Sequence, residues 1–424
     1  MKKVLLFLVL ILWVHFSKAQ KMLQGNQSDT LQITISQAEH LFLNNNLELI
    51  AQKLSIDSAR ASVITAGLFD NPGFSYANGF YNTETHHFFD PEISVQVSQL
   101  FRLAGKRNKS IALAKSGVDI SDFEFYDLLR TLRYVLRNDF FNIYFLNQSS
   151  RLYGTEISSL DKILTAYQQA EKKGYTAPVD VLRIQSQLYT LQAEYENIQT
   201  NINTIEAELK ILIRANPLQF INPVVPASLV QNEELKNTSY QSLLDSALAN
   251  RPDLKALNAA INYSNNNLIL QKAMAKPDLT VTAGYDRLGS YVKNYNSIGI
   301  AIPIPFFNRN QGNIKNAQIQ MQVSKVNYED DLDKVRSDVT SNYITALRSE
   351  KLLNTMDPGF ENKMKEMITQ VTDNFQKKNI SLLQFLDFYD SYKQNVLQLN
   401  QLRFNKMNAL EQLNYSVGKI LFNP

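Results

Sequence analysis

The stretch Asn71-Pro72-Gly73-Phe74-Ser75-Tyr76-Ala77-Asn78-Gly79-Phe80 is echoed at Lys276-Pro277-Asp278-Leu279-Thr280-Val281-Thr282-Ala283-Gly284-Tyr285, 205 positions later. In both, large or apolar residues alternate with small or polar ones after a proline, the period-two pattern of a half-buried strand. The same offset pairs Leu49 with Leu254, Ile93 with Ile298, Phe101 with Phe306, Ala112 with Ala317, and Lys172-Lys173-Gly174 with Lys377-Lys378-Asn379. Matches in order along one diagonal mark a duplicated unit. Beyond that point the offset drifts by about one residue, with Val181-Leu182 facing Phe385-Leu386.

Outward from this core, each unit reads alike. A helical stretch (36–66, then 240–275) leads to two strands around a loop. A long helical stretch follows (104–172, then 312–376), then a tight turn, then a shorter helix (178–214, then 382–416). The first long helix reaches about 100 Å at ~1.5 Å per residue, and the two shorter ones of its unit laid end to end match it. Asn44-Asn45-Asn46 and Arg251-Pro252 interrupt the first helical stretch of each unit. Helix 178–214 carries a coiled-coil seam: Val181, Ile184, Leu188, Leu191, Tyr195, Ile198, Ile202, Ile205, Leu209 and Leu212 alternate three and four apart. The matching seam at Phe385, Phe388, Tyr392, Leu399, Leu402, Ala409 and Leu413 includes Asn395 and Lys406 and is weaker. The expected organisation is a leader at 1–19, a first repeat at 20–214, a Pro/Asn-rich connector at 215–239, a second repeat at 240–417 and a tail at 418–424.

The second strands also alternate, Ile93, Val95 and Val97 in one unit and Ile298, Ile300, Ile302 and Ile304 in the other. Each of the four segments is about ten residues, the length a tilted strand needs to cross a bilayer. Phe80, Tyr81, Phe88 and Phe89 at one hairpin end, and Tyr285, Tyr291 and Tyr295 at the other, can supply a membrane-interface aromatic girdle. Four strands cannot close a barrel, and open edges cannot face lipid, so other copies are needed; three copies make about twelve strands.

The 424 residues hold 43 Lys+Arg, 40 Asp+Glu and no Cys. Lys2 and Lys3, the apolar run Val4 to Val14, and Ser17-Lys18-Ala19 form the three regions of a cleavable export signal, too short for a spanning anchor. Its removal takes three lysines and no acid, leaving 40 of each sign and no electrostatic attraction to nucleic acid. Without Cys there is no lipid-anchor site, thiolate nucleophile or Cys-based metal site. His86-His87 reads as a polar loop, and Met356, Met364 and Met367 as helix filler rather than metal ligands. No phosphate-cradling loop or nucleophile elbow occurs. The expectation is therefore no enzyme: no catalytic residue, no cofactor and no bound metal.

These features resemble the TolC-type outer-membrane efflux protein family over nearly the whole mature chain. The resemblance rests on the duplicated helix–hairpin–helix plan, on Arg251-Pro252-Asp253-Leu254, Lys276-Pro277-Asp278-Leu279 and Leu103-Ala104-Gly105-Lys106-Arg107. It rests most specifically on Pro303-Ile304-Pro305-Phe306-Phe307-Asn308-Arg309-Asn310-Gln311-Gly312, which is similar to the branch serving cobalt–zinc–cadmium and related cation exporters. The resemblance implies a mainly α protein with a membrane β part, in the outer membrane of a Gram-negative bacterium. It implies a homotrimer with a 12-stranded transmembrane β-barrel, four strands per chain, and a long periplasmic α-helical coiled-coil barrel. The implied partners are outer-membrane lipid, a periplasmic membrane-fusion adaptor and an inner-membrane pump of the proton-driven RND type. Function would be passive conduction of metal cations or drugs to the exterior. A non-conducting periplasmic coiled-coil scaffold or adaptor is the alternative.

Gly174 and Asn379 follow Lys-Lys pairs at matching turns and suit a left-handed C-cap. By the resemblance, Gly174, Tyr175 and Thr176 with Asn379, Ile380 and Ser381 are the tips that meet the adaptor. Leu383-Gln384-Phe385-Leu386-Asp387 resembles the stretch where some relatives carry two acidic residues at the tunnel constriction. Here Asp387 matches and Gln384 departs, so the implied periplasmic gate is Asp387 with Gln384.

Overall fold

The computed structural model describes residues 30–81, 83, 86, 88, 92–226, 228–229, 235, 238–288, 292–357 and 359–422. The expected leader, His87, and the girdle candidates Phe89 and Tyr291 lie outside the described residues. Two compact units emerge, and each draws on both repeats: one comprises Met1–Leu47, Arg130–Leu244 and Asp338–Pro424, the other Glu48–Leu129 and Asp245–Ser337.

The repeat is legible element by element. In the first half, β1 (Thr30–Thr34) leads into α1 (Ile35–Asn45) and α2 (Leu47–Gly67), followed by β2 (Gly73–Asn78), β3 (Ile93–Phe101), α3 (Lys106–Lys172) and α4 (Pro178–Ile213). In the second, β4 (Phe220–Val224) precedes α5 (Tyr240–Asn250), α6 (Pro252–Met274), β5 (Leu279–Asp286), β6 (Tyr295–Ala301), α7 (Gln311–Asn354), α8 (Phe360–Gln376) and α9 (Leu382–Val417). Local chemistry sets the ends. Thr34 and Gln37 close a reciprocal capping box on α1, and Pro178 and Pro252 start α4 and α6 where a missing N–H costs nothing. Asn46 breaks the first helical stretch and donates its side-chain amide to the Leu212 carbonyl at 3.1 Å, so the break is also a tie to α4.

Two expectations need correction. The long helix expected over 312–376 is two helices, interrupted between Asn354 and Phe360, where the sequence places Asp357-Pro358-Gly359. Proline cannot sustain the i to i−4 ladder, and the Asp357 side chain accepts the Gly359 N–H at 2.8 Å instead. The Pro/Asn-rich connector, for which no strand was expected, contains β4, which pairs in parallel with β1 from Thr30↔Phe220 to Thr34↔Val224. Ile33 and Ile221 are buried, and the Glu206 carboxylate receives the Ile221 N–H at 3.2 Å while pairing with Lys210 at 2.8 Å.

In the unit that holds α4 and α9, most of the expected α4 seam is buried. On α9, Phe388 is exposed and Tyr389 takes the inward place, because the inward stripe runs one residue later there. A buried ion network ties three helices: Arg137 of α3 donates to both Glu411 carboxylate oxygens on α9 (2.7 and 3.0 Å) and to Glu39 of α1 (2.7 Å). A fork-shaped guanidinium and two carboxylates desolvated together hold one mutual geometry, and removing one acid strands charge in the interior. None of the described helices is long and apolar enough to cross a membrane.

Glu411→Ala should lower unfolding stability by about 3 kcal/mol, read from denaturant midpoints in detergent. A loss under about 0.5 kcal/mol, the range of exposed pairs, would show that the network is solvated.

Candidate functional sites in the sheet and at the helix turns

In the other unit the four strands form one antiparallel sheet in the order β2-β3-β5-β6. Directly opposed residues share a face, so the register sorts the side chains. Phe74, Val97, Ala283 and Ile298 line up across one face, as do Tyr76, Val95 and Tyr285, and Val281 with Ile300. The opposite face carries Ser75, Gln96, Gly284 and Ser297 in one row and Gly73, Ser98, Thr282 and Gly299 in the next. The expected alternation is therefore a whole-sheet property. The apolar face is bare: Phe74 is 72% and Ile298 84% exposed. On the polar face two glycines sit close under their cross-strand neighbours, since a Cβ on Gly73 would lie 2.7 Å from Ser98 Oγ and one on Gly299 2.6 Å from Thr282 Oγ1. The paired strands run six to nine residues rather than ten, although Tyr81↔Phe88 continues the first hairpin outward.

The hairpin aromatics divide. Phe80 and Phe88 meet edge to face at 5.9 Å, and Tyr81 lies 4.9 Å from Phe88 with its hydroxyl hydrogen-bonded to His86 Nδ1 at 3.1 Å. Tyr285, on the apolar face, donates its hydroxyl to Asn294 Oδ1 at 2.7 Å. Tyr295 pairs with Asp286 and so falls on the polar face. Sequence periodicity alone does not separate these two tyrosines; the strand register does.

At the helix turns, Tyr153, Leu160 and Leu164 of α3 pack with Val181, Ile184, Leu188 and Leu191 of α4, Phe375 of α8, and Leu382, Phe385 and Tyr389 of α9. A ladder of rings runs through it, with Tyr167–Phe375 at 6.0 Å, Phe375–Phe385 at 4.3 Å and Phe385–Tyr389 at 5.3 Å. The first turn is a Schellman cap. Gly174, at φ +74°, donates to the Glu171 carbonyl, and Tyr175 donates to that of Ala170. The second has the same bonds one residue earlier than expected. Lys378 is the left-handed residue, at φ +57°, donating to Phe375, and Asn379 donates to Asn374. Thus Gly174 corresponds in conformation to Lys378, one position off the sequence diagonal. Tyr175 stands 81% exposed, Thr176 and Ile380 are half-buried, and Asn379 is exposed.

Ser381 and Gln384 form a capping box: the Ser381 hydroxyl accepts the Gln384 N–H at 3.3 Å and Gln384 Oε1 accepts the Ser381 N–H at 2.9 Å. Gln384 is thereby held as a helix cap. Asp387 is exposed and makes no hydrogen bond or ion pair among the described residues.

Sequence reading missed a buried charged layer behind these turns. Lys393 of α9 pairs with Glu194 at 2.9 Å and Asp390 at 3.1 Å. Burial opposes its ammonium, but hydrogen bonds to those two acids carry its pKa above the usual value. Glu156 of α3 is 2% exposed, and both its carboxylate oxygens are buried without a hydrogen-bond partner among the described residues. Burial pushes its pKa up to about 8, reinforced by Asp390 and Glu194 and opposed by Lys393. It lines a cavity of about 1100 Å³ beside the α7–α8 interruption. The signal was a charge at an inward helical position, visible only once the packing is known.

Comparison with known proteins is consistent over most of the chain. A family model described as outer membrane efflux protein matches residues 39–213 and 243–419. The cobalt-zinc-cadmium resistance protein CzcC of Cupriavidus metallidurans is 22% identical over 84% of this chain and 82% of its own. Toxin and drug export protein A of Aggregatibacter actinomycetemcomitans is 21% identical over 87% and 82%. The folds of the Campylobacter jejuni CmeC outer membrane channel (TM-score 0.72, 15% identity, 92% and 86% covered) and of the open-state Neisseria gonorrhoeae MtrE outer membrane channel (0.70, 17%, 92% and 89%) superpose along the chain.

Lys378→Gly should raise unfolding stability by about 1 kcal/mol, and Gly174→Ala lower it by a similar amount, because only glycine takes this conformation without strain. Equal melting curves for both variants and the parent would remove the left-handed assignment. Glu156 binds its proton more tightly folded than unfolded, so the native state holds more protons between about pH 4.5 and 8. Stability should fall as pH rises through that window, and Glu156→Gln should flatten the profile between about pH 7 and 8 while Asp139, whose carboxyl burial raises to about 7, still slopes it below.

Proposed function

The chain belongs to the outer membrane efflux protein family, and we propose that it is the exit duct of a tripartite export system, working as a homotrimer. One observation carries this reading: a four-stranded sheet with an exposed apolar face, a small-residue polar face and, among the described residues, two free edges, β2 and β6. Edges without partners cannot face lipid, and in water they invite pairing with another chain. Two copies would give about eight strands, whose interior side chains fill, whereas three give about twelve and leave a lumen. The polar face then lines the passage and the apolar face meets the outer-membrane lipid. Residues 1–19 would direct export and be cleaved.

The helices then build a periplasmic tunnel whose far end is the pair of turns at Gly174–Thr176 and Asn379–Ser381. Those turns meet a membrane-fusion adaptor, which couples the duct to an inner-membrane pump of the proton-driven RND type. The resistance protein CzcC, and the likeness of Pro303–Gly312 to the cation branch, favour metal cations as cargo; the relation to a toxin and drug exporter keeps small organic molecules in view. Asp387, with no partner among the described residues, repeats three times around the axis and forms a cation-sensitive constriction, with Gln384 as a capping neighbour rather than a second charge.

The test is purification from outer membrane in mild detergent, followed by planar-bilayer recording. A trimer that conducts supports the reading, and a monomer released in soluble form from spheroplasts defeats it. Within the conducting trimer, Asp387→Ala should relieve most of the block by added divalent cations, at least several-fold in the blocking concentration. Unchanged block would discard the constriction. Susceptibility profiling of a deletion strain against metals and drugs would separate the two classes of cargo.

A further inference from the structure

Between α3, α8 and α9 the helices leave a cavity of about 1100 Å³, inside one compact unit and lined by neither the turn residues nor Asp387. Packed helical seams ordinarily close over such hollows. Rings form much of the wall: half-buried Tyr144 on α3, half-buried Phe360 at the start of α8, and buried Tyr389 and Tyr392 on α9. The size suits a small organic molecule.

Most of the charge in the wall is already paired. Glu361 of α8 receives Lys365 at 2.8 Å and Arg403 of α9 at 2.8 Å, Asp357 is bound to Lys363, and Lys406 has a partner as well. Glu156 differs. Its buried carboxyl group has no hydrogen-bond partner among the described residues, and the polar groups around it are engaged elsewhere. The Tyr389 hydroxyl donates to the Glu156 main-chain carbonyl at 3.0 Å, and the Lys393 ammonium is held by Glu194 of α4 and Asp390. A carboxyl stripped of water and left bare is a cost that a ligand's donor offsets.

We propose that this cavity binds a small aromatic primary amine, its ammonium paired with the Glu156 carboxylate and its ring lying among Tyr144, Phe360, Tyr389 and Tyr392. The two ends of such a ligand match the wall. Aromatic faces attract an alkylammonium, and a desolvated carboxylate is a strong acceptor for its N–H groups. Both Glu156 oxygens lie beneath the wall surface, so binding turns that side chain toward the hollow. Among the described residues no cluster of three acidic or His side chains gathers to hold a metal ion, which favours a singly charged organic cation.

Binding exchanges one cation for another. The Glu156 proton, held up to about pH 8 by burial with Asp390 and Glu194 and against Lys393, leaves to solvent as the ammonium arrives. The neighbouring groups keep their charge between pH 6 and 9: Tyr153, Tyr389, Tyr392 and Lys393 have raised pKa values, and Glu361 a lowered one.

Isothermal titration of the purified full chain with 2-phenylethylamine, in buffers of different ionisation enthalpy, reads affinity and proton release together. Affinity should be at least about ten-fold tighter at pH 8 than at pH 6, with nearly one proton released per amine at pH 7 and little at pH 9. N-acetyl-2-phenylethylamine keeps the ring without the charge and should bind the parent protein at least about ten-fold more weakly. Glu156→Gln keeps the size of the side chain and should weaken amine binding by a similar factor and abolish its pH dependence. Equal binding of the acetylated compound, equal binding by the Glu156→Gln protein, or no saturable heat in the parent each overturns the proposal. The acetylated probe needs no variant, so that comparison does not depend on how a substitution folds. All the lining residues come from one compact unit of one chain, so the site and the duct fail separately. A conducting trimer that binds no amine defeats the site alone, and a non-conducting protein that binds it defeats the duct alone.

Discussion

Every open β-sheet leaves a row of N–H and C=O groups along each edge, and here that requirement meets an uncovered apolar face. Water would have to solvate Phe74, Tyr76, Ile298 and Ile300, while lipid would have to accept the unpaired edges of β2 and β6. Closure by further copies satisfies both demands at once, because it pairs the edges and lets hydrocarbon cover the face. The small residues on the other face follow from the same demand. A sheet that closes must bend, and the contacts at Gly73 and Gly299 leave no room for a Cβ without a shift of the neighbour. Membrane compatibility is thus written across the register of four strands that come from two distant parts of the sequence.

The helical unit solves a different problem, holding long amphipathic helices in one alignment. Apolar seams alone permit sliding by a turn, since a shifted leucine still finds apolar neighbours. Charged groups do not permit it. Arg137 fits only where Glu411 and Glu39 coincide, and Lys393 only where Glu194 and Asp390 do. Such groups contribute little net stability against well-packed apolar substitutes, and removing one partner strands the other. Glu156 is one exception, a buried acid whose oxygens have no hydrogen-bond partner among the described residues and whose proton affinity rises accordingly; Asp139, raised to about 7 by burial, is another.

Much of this was legible in the sequence because the repeat presents each pattern twice. The breaks at Asn46 and before Pro252, the four alternating strands and the α4 seam all express local periodicity, which needs no knowledge of partners. The β1–β4 pair escaped because five-residue strands with a proline in one of them carry almost no periodic signal, and their partner lies about 190 residues away. The interruption before α8 is hard to see although Pro358-Gly359 is a helix breaker, because the heavily polar flanks on both sides still scan as helix. Intrinsic left-handed tendency favours Asn379 over Lys378. The hydrogen bonds instead follow chain length, which is one residue shorter across α7 and α8 than across α3. The roles of Glu156 and Lys393 depend on tertiary neighbours and had no local signature.

That one-residue difference reaches beyond the helix in which it arises. The first turn ends in Gly174-Tyr175 and restarts at Pro178 with no side-chain cap, whereas the second ends in Lys378-Asn379 and restarts under the Ser381–Gln384 box. In a ring of three chains the six turns would therefore alternate between two chemistries, giving threefold rather than sixfold equivalence at the rim. Any cognate assembly made of identical subunits would have to engage alternate positions only, or deform to tolerate two inequivalent footprints.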